Sequence, residues 1–316
     1  MNSKRHALRE IDLSAEKGIH AMTLKEKIMK NAADVDAALP VYLETPEEAL
    51  TVLYEAMRYS ALAGGKRIRP FLVMEFCRLF GGKSEAAMPF ACAIECVHAS
   101  SLIHDDMPCM DNDELRRGKP TNHIVFGEDM ALLAGDALMT RGYELAANNT
   151  AVDGKTALMA TQKLLFASGA VGMMGGQQID LKSENVQIDF DTLLKMHAKK
   201  TGALIRVSAE LGCLAAGITD PDDARVRAAV EYASGIGLAF QIVDDILDVT
   251  GDEKTLGKKV HADDAMGKTT FLTFMTLEEA GNYAKEITER AIDGIRAYEG
   301  SETLIEFAEY LLERSN

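Results

Sequence analysis

From residue 121 to the C-terminus the chain carries one proline, Pro221; the other six stand at 40, 46, 70, 89, 108 and 120. Proline removes a backbone donor and breaks helices, so a chain this poor in it is free to run in long helical segments. The residues between the breakers agree. Around 47–63, Ala49, Leu50, Leu53, Ala56, Met57 and Leu62 recur mostly at steps of three and four, the helical period. Segments 86–106, 129–148, 155–175, 189–217, 223–250 and 278–314 read the same way and are rich in good helix formers. Two-residue alternation over the length of a strand is nearly absent. The expected fold class is all-α. No linker, repeat or low-complexity tract divides the chain, so one domain is expected over 22–316, with 1–21 a loose extension ahead of Met22 that lacks the apolar core of a secretory signal.

Charge narrows the partners. Thirty-four Lys and Arg against 49 Asp and Glu give a net charge of −15, which argues against a nucleic-acid partner. Any anionic ligand must then be held by a local basic cluster or by metal ions. No uninterrupted apolar run reaches membrane-spanning length, so no integral membrane segment is expected. Five Cys, an odd set without a CxxC, point to a reducing compartment, and a cytoplasmic location is expected.

Two acidic clusters interrupt apolar helical stretches. In FQIVDDILD, Asp244 and Asp248 are four apart and share a helix face, with Asp245 beside them. A lone Asp-Asp pair is usually a solvated face or a cap, but here Phe240, Ile242, Val243, Ile246, Leu247 and Val249 surround the carboxylates. Crowded like charges are costly, and a hard cation removes that cost; Mg²⁺ prefers one or two carboxylates completed by phosphate oxygens and water. The second cluster, HDDMPCMDNDELRRGKP, holds Asp105, Asp106 and Asp111. On a continuous helix Asp111 would point away from Asp105, but Pro108 disfavours helix at Met107 and lets the chain turn back. The competing reading is a loop of caps and turns. An EF-hand is rejected because Arg116 stands where that loop needs Gly.

Basic residues accompany these carboxylates in Gly-punctuated turns. Gly64-Gly65-Lys66-Arg67-Ile68-Arg69-Pro70 permits close backbone approach, and Arg69 can fork onto two phosphate oxygens. Arg116 and Arg117 follow the first acidic cluster; Lys199, Lys200 and Thr201 precede Gly202; Lys258 and Lys268 frame a fourth group. Each alone reads as a solvated face, but together they point to a metal–diphosphate site. Gly267-Lys268-Thr269-Thr270 is not a P-loop, since Ala262 replaces the required Gly and no strand precedes it. His98, two turns before Asp105, reads equally as a core histidine or a phosphate donor; Gln177 and Asp180, in GGQQID, either reach a ligand or cap.

In this order, GGKRIRP, SLIHDDMPCMDNDELRRGKPTNH, GGQQID, Lys200-Thr201, FQIVDDILD and the two Gly-Lys pairs resemble the trans-type polyprenyl diphosphate synthases, from about residue 22 to 275. Pro108-Cys109, which lengthens the first motif, resembles the bacterial and plant enzymes making farnesyl and geranylgeranyl diphosphate. The resemblance implies a single bundle of about ten or more helices around a deep central apolar cavity, the isoprenoid synthase fold, usually homodimeric. It implies Mg²⁺, three ions in the substrate complex, on Asp105, Asp106, Asp111, Asp244, Asp245 and Asp248. Arg116, Lys200, Thr201, Gln241, Lys258 and Lys268 match positions holding an allylic diphosphate; Lys66, Arg69, His98 and Arg117 match positions holding isopentenyl diphosphate. Catalysis would fall on Asp105, Asp106, Asp111, Asp244, Lys200 and Lys258. Two departures are a missing proline after Phe271, where Leu272 stands, and His261.

Product length is expected to depend on Ser101 and Ser100, four and five residues before Asp105 and so about 6 and 7.5 Å deeper along a helix. Relatives that stop at fifteen carbons often carry an aromatic at one of these positions. Two serines leave the path open and favour geranylgeranyl over farnesyl diphosphate. A terpene cyclase would typically replace one acidic motif by an Asn/Ser/Glu set, and a non-catalytic subunit would be expected to have lost one; both motifs are present here.

Overall fold

The helices begin where the sequence supplies caps. Thr23 and Glu26 form a reciprocal capping box at the start of α1 (Leu24–Tyr42), and Thr276 and Glu279 do the same for α12 (Leu277–Ile295). Asp189 caps α9 (Phe190–Lys200) by accepting from the Thr192 N–H at 2.7 Å, and Asp223 caps α11 (Ala224–Thr250). The computed structural model describes residues 22–251 and 267–313. Lys258 and His261, both singled out above, lie outside the described residues, as does the 1–21 extension.

Between these elements run α2 (Thr51–Ala61), α3 (Ile68–Leu79), α4 (Ser84–Asp105), α5 (Asn122–Phe126), α6 (Glu128–Ala147), α7 (Gly154–Ser168), α8 (Met173–Ser183) and α10 (Gly202–Ala215), with α13 (Glu302–Glu313) last. The all-α expectation holds. Three expected segments are each two helices. The 155–175 segment breaks at Gly169–Gly172, the 189–217 segment at Thr201, and the 278–314 segment before Ser301, after Gly300 with φ +88°. The strands among the described residues are a two-residue pair, β1 (Leu115–Arg116) and β2 (Lys119–Pro120), antiparallel with Arg116 opposite Lys119. Arg117 and Gly118 between them both have positive φ, as a tight hairpin turn requires.

The chain groups into two compact units, Met1–Thr161 with Leu214–Gly217, and Gln162–Cys213 with Ile218–Asn316. In the first, α4 is the central element. It packs on α3 and α6 and is buried on nearly every side, from Ala86 to Ile103. In the second, α11 lies against α9, α12 and α13. Ile242, Val243, Ile246 and Leu247 of α11 join Leu193, Met196, Phe271, Ala280 and Ala284 in one apolar cluster. These residues recur at helical steps, so burying one face of α11 fixes where its aspartates emerge.

By length and apolarity two segments of the described chain could cross a membrane. One is α4, of whose window 78% is buried within the protein; the other is Gly154–Ser183, 39% buried. Burial marks α4 as a core helix.

Candidate active site

In the first unit, α4 ends at Asp105 and the chain turns as Pro108 requires. The Asp111 N–H donates to the Asp105 carbonyl oxygen at 2.9 Å and the Asn112 N–H to that of Met107 at 3.1 Å. The turn therefore returns Asp111 to Asp105. Asp106 has a different partner. Its carboxylate accepts from Arg116 Nε at 2.8 and 2.9 Å and from Nη2 at 2.5 Å. Burial pushes the Asp106 carboxyl up, while Arg116 pulls it back. The hairpin thus ties Arg116 to the end of α4.

A second group assembles at the N-terminus of α3. Arg69 Nη1 donates to His98 Nε2 at 3.2 Å. Burial, together with Arg69 and Arg117, pushes the His98 ring well below its ordinary pKa, so it is neutral and accepts at Nε2. Burial also lowers Arg69 to about 10. The Arg69 Nε is buried without a partner, an orphan donor on a guanidinium that also feels the Arg117 charge. Gly65 has φ +128°, a backbone state that residues with a side chain rarely adopt, and it lets the Arg117 guanidinium lie close against the turn. Lys66 is exposed beside it. Arg67, read from sequence as part of the same basic turn, faces inward instead, to Glu95 at 2.5 Å and Asp36 at 2.7 Å.

The second unit holds a cavity of about 180 Å³, with Asp180, His197, Lys200, Gln241, Asp244, Asp245 and Lys268 among its lining residues. Lys200 Nζ lies 2.5 Å from Asp180 Oδ2, and Lys268 Nζ lies 3.6 Å from the same oxygen. Burial would raise the Asp180 carboxyl, but Lys200 and Lys268 hold it below its ordinary value. Gly176 explains this meeting. A Cβ there would be 2.1 Å from the Lys200 backbone nitrogen, so α8 and α9 touch backbone to backbone, and Asp180, one turn on, comes under Lys200. Thr201 Oγ donates to Gln241 Oε1 at 2.9 Å.

The three aspartates of α11 differ. Asp244 is half-buried and lines the cavity with Lys200. Asp245 is 8% exposed and accepts from the Phe271 N–H at 2.8 Å. Asp248, 3% exposed, lines a second cavity of about 260 Å³ with Asp245 and Lys268. Ser100 and Ser101 also part company. Ser100 has no accessible surface, whereas Ser101 is half-buried and donates to the His98 carbonyl at 2.9 Å.

Among the described residues no group of three or more His, Cys, Asp or Glu could hold a metal by itself. Mg²⁺ takes one or two carboxylates and completes its shell with phosphate and water oxygens. Asp105 with Asp111, and Asp244, are carboxylates of that kind. Sequence reasoning left Asp180 open and missed His197 altogether; a histidine three residues before the Lys-Thr pair was the available signal.

The sequence model of the polyprenyl synthetase family matches residues 50–307. The heterodimeric geranylgeranyl pyrophosphate synthase large subunit 1, chloroplastic, of Arabidopsis thaliana is 41% identical over 99% of this chain and 84% of its own length. The farnesyl diphosphate synthase of Escherichia coli (strain K12) is 43% identical over 84% of this chain and 90% of its own. The apo crystal structure of an FPP/GFPP synthase from Zymomonas mobilis superposes with a TM-score of 0.82 at 39% identity, covering 92% of this chain and 98% of that one. The chain therefore belongs to the polyprenyl synthetase family and is an all-α prenyltransferase of the isoprenoid synthase fold.

Proposed function

We propose that this enzyme condenses isopentenyl diphosphate head to tail with allylic diphosphates (dimethylallyl, geranyl and farnesyl), with geranylgeranyl diphosphate favoured over farnesyl diphosphate as product. The observation that carries the reading is the cavity of the second unit, where Lys200 and Lys268 stand beside Asp244. Cations alone would suit a free anion and carboxylates alone a metal; their mixture suits a diphosphate bound together with a cation.

Asp105, Asp111 and Asp244 would hold Mg²⁺, three ions in the substrate complex, and when bound the metal supplies positive charge against the diphosphate oxygens. The protein's own groups do the rest. Lys200 and Lys268 bind the allylic diphosphate and stabilise the charge that grows on it as its bond to carbon breaks, leaving an allylic cation. Arg69, with Lys66 and Arg117, holds isopentenyl diphosphate so that its double bond attacks that cation. A proton then leaves, to the departed diphosphate. Asp106 orients Arg116. Lys258 belongs to the proposed set by motif.

The test is chromatography of products from isopentenyl diphosphate with each allylic partner, with and without chelator. Mg²⁺-dependent elongation to twenty carbons is the expected result. No elongation overturns the reaction, and farnesyl diphosphate alone with isopentenyl diphosphate in excess overturns the product. Asp105→Ala or Asp244→Ala should lower turnover by about a hundredfold or more with an unchanged circular-dichroism spectrum; near-normal turnover in Asp244→Ala would remove it from the site.

We further propose a homodimer. Ile124 and Val125 of α5 and Leu132 and Leu133 of α6 are exposed, which supports a protein partner. The Arabidopsis relative is named as a heterodimeric subunit, so light scattering of the purified chain decides between a self-partner and a different one. All five thiols are unpaired, four of them buried, which supports a reducing, cytoplasmic setting.

A further inference from the structure

His197 lies on α9, three residues before Lys200, and no part of the reaction proposed above uses it. Its Nδ1 stands 3.2 Å from Gln241 Oε1. The same oxygen accepts from the Thr201 hydroxyl at 2.9 Å. An amide oxygen has two lone pairs and only accepts, so the imidazole must carry its proton on Nδ1 and donate. His197 Nε2 is buried with no partner. A bare lone pair there is less costly than an orphan N–H, which selects the same neutral tautomer. Burial lowers the ring to about pKa 4, so it is uncharged at neutral pH.

The ring is also held in plane. Phe271 stacks on it with centroids 5.2 Å apart and planes 18° from parallel. Phe271 is fixed in turn: it has no accessible surface, and its N–H donates to Asp245. A continuous path therefore runs from Asp245 through Phe271 and His197 to Gln241.

We propose that His197 is a positioning residue that sets the orientation of the Gln241 amide: with Thr201 it occupies the carbonyl end, and it turns the NH₂ end as a donor toward the cavity that Gln241 lines with Lys200 and Lys268. Without two donors on Oε1 the amide is free to turn over and present a carbonyl oxygen to an anion, which repels. With them, the donor waits in place and no reorganisation is needed when the diphosphate arrives. Asp245 acts through this path, as an anchor for Phe271. The inference rests on the proposed reaction.

The test separates the donor from the stack. His197→Phe keeps a ring against Phe271 and loses the Nδ1–H; His197→Asn loses the ring and keeps an amide N–H near the same place. Binding of geranyl diphosphate with Mg²⁺ and without isopentenyl diphosphate is measured by calorimetry, alongside steady-state kinetics. His197→Phe should weaken geranyl diphosphate binding and raise its KM about tenfold, the scale of one hydrogen bond to a charged group, and leave the KM for isopentenyl diphosphate within about twofold. His197→Asn should recover most of the loss. In a Gln241→Ala background, His197→Phe should add less than about twofold. An equal penalty in both backgrounds, equal penalties for Phe and Asn, or no penalty at all would overturn the proposal. If His197→Phe does not fold, His197→Leu against His197→Asn, similar in shape and different only in the donor, makes the same decision. An unmodified enzyme that neither binds nor elongates geranyl diphosphate overturns the proposed reaction itself, whereas an active enzyme indifferent to His197→Phe overturns this inference alone.

Discussion

Arg67 and Glu95 meet at 2.5 Å with side chains 1% and 3% exposed, an ion pair sealed inside the first unit. Arg67 also donates to Asp36 and to the Ala61 carbonyl, so its guanidinium has acceptors around most of its edge. Its backbone is left-handed, φ +48°, an unusual state for a residue with a side chain. The buried pairing holds the turn in that state, and the turn delivers Arg69 to His98.

Removing the cation leaves Glu95 buried without its partner. Arg67→Met should cost about 3–5 kcal/mol in urea unfolding. Asp36→Asn removes a partner that is 40% exposed and should cost no more than about 1 kcal/mol. Equal costs for the two would mean that burial of the pair does not set its energetics.

Asp180 gives a pH prediction. Its folded-state pKa is depressed below the ordinary 3.8 by Lys200 and Lys268 against the opposing effect of burial. A depressed carboxylate contributes stability that is complete above the unfolded value and is lost as pH falls through the folded one. Asp180→Asn should therefore be less stable than the parent at neutral pH, with the gap closing as pH drops below about 4. Melting temperature against pH reads this directly; a constant gap would show that the carboxylate's charge is not what stabilises.

The two basic groups should separate kinetically. Arg69→Ala or Lys66→Ala should mainly raise the KM for isopentenyl diphosphate, by about tenfold or more, and Lys200→Ala or Lys268→Ala should mainly affect the allylic substrate. Steady-state kinetics with each substrate varied checks the assignment, and a reversed pattern would exchange the two pockets.

Much of this was legible in residues and some was not, for reasons that differ. The helical period placed α4 and α11, because apolar side chains must recur on the face that packs. Pro108 foretold the turn from Asp105 to Asp111, since it acts on local backbone. What spacing could not show was the choice of partner. Arg67 and Arg69 look alike in Gly-Gly-Lys-Arg-Ile-Arg-Pro, yet one turns to Glu95 and the other to His98. Spacing sets Asp245 off the face that Asp244 and Asp248 share, but only packing gives it to the Phe271 backbone. The hairpin at Leu115–Pro120 escaped because two residues per strand are too few for any alternation to register.

Ser101 is the place to shorten the product. Position along the helix leaves Ser100 and Ser101 alike, but Ser100 has no accessible surface, and a ring there should overpack α4 by about 1–3 kcal/mol. Ser101 is only half-buried, so a ring there has an accessible side to occupy. It should keep the parent's stability and shift the product toward farnesyl diphosphate by about one isoprene unit, visible by chromatography. An unchanged product from a folded Ser101→Phe would place the floor of the chain path elsewhere.

The bond from Phe271 to Asp245 spans 26 positions of sequence and fastens both ends of the chain between them to one point. Closing a loop costs entropy that grows only with the logarithm of its length, about 0.6 kcal/mol for each doubling. Lys268 stands three residues before Phe271, so this bond sets its place directly, whatever the length of chain that leads to it.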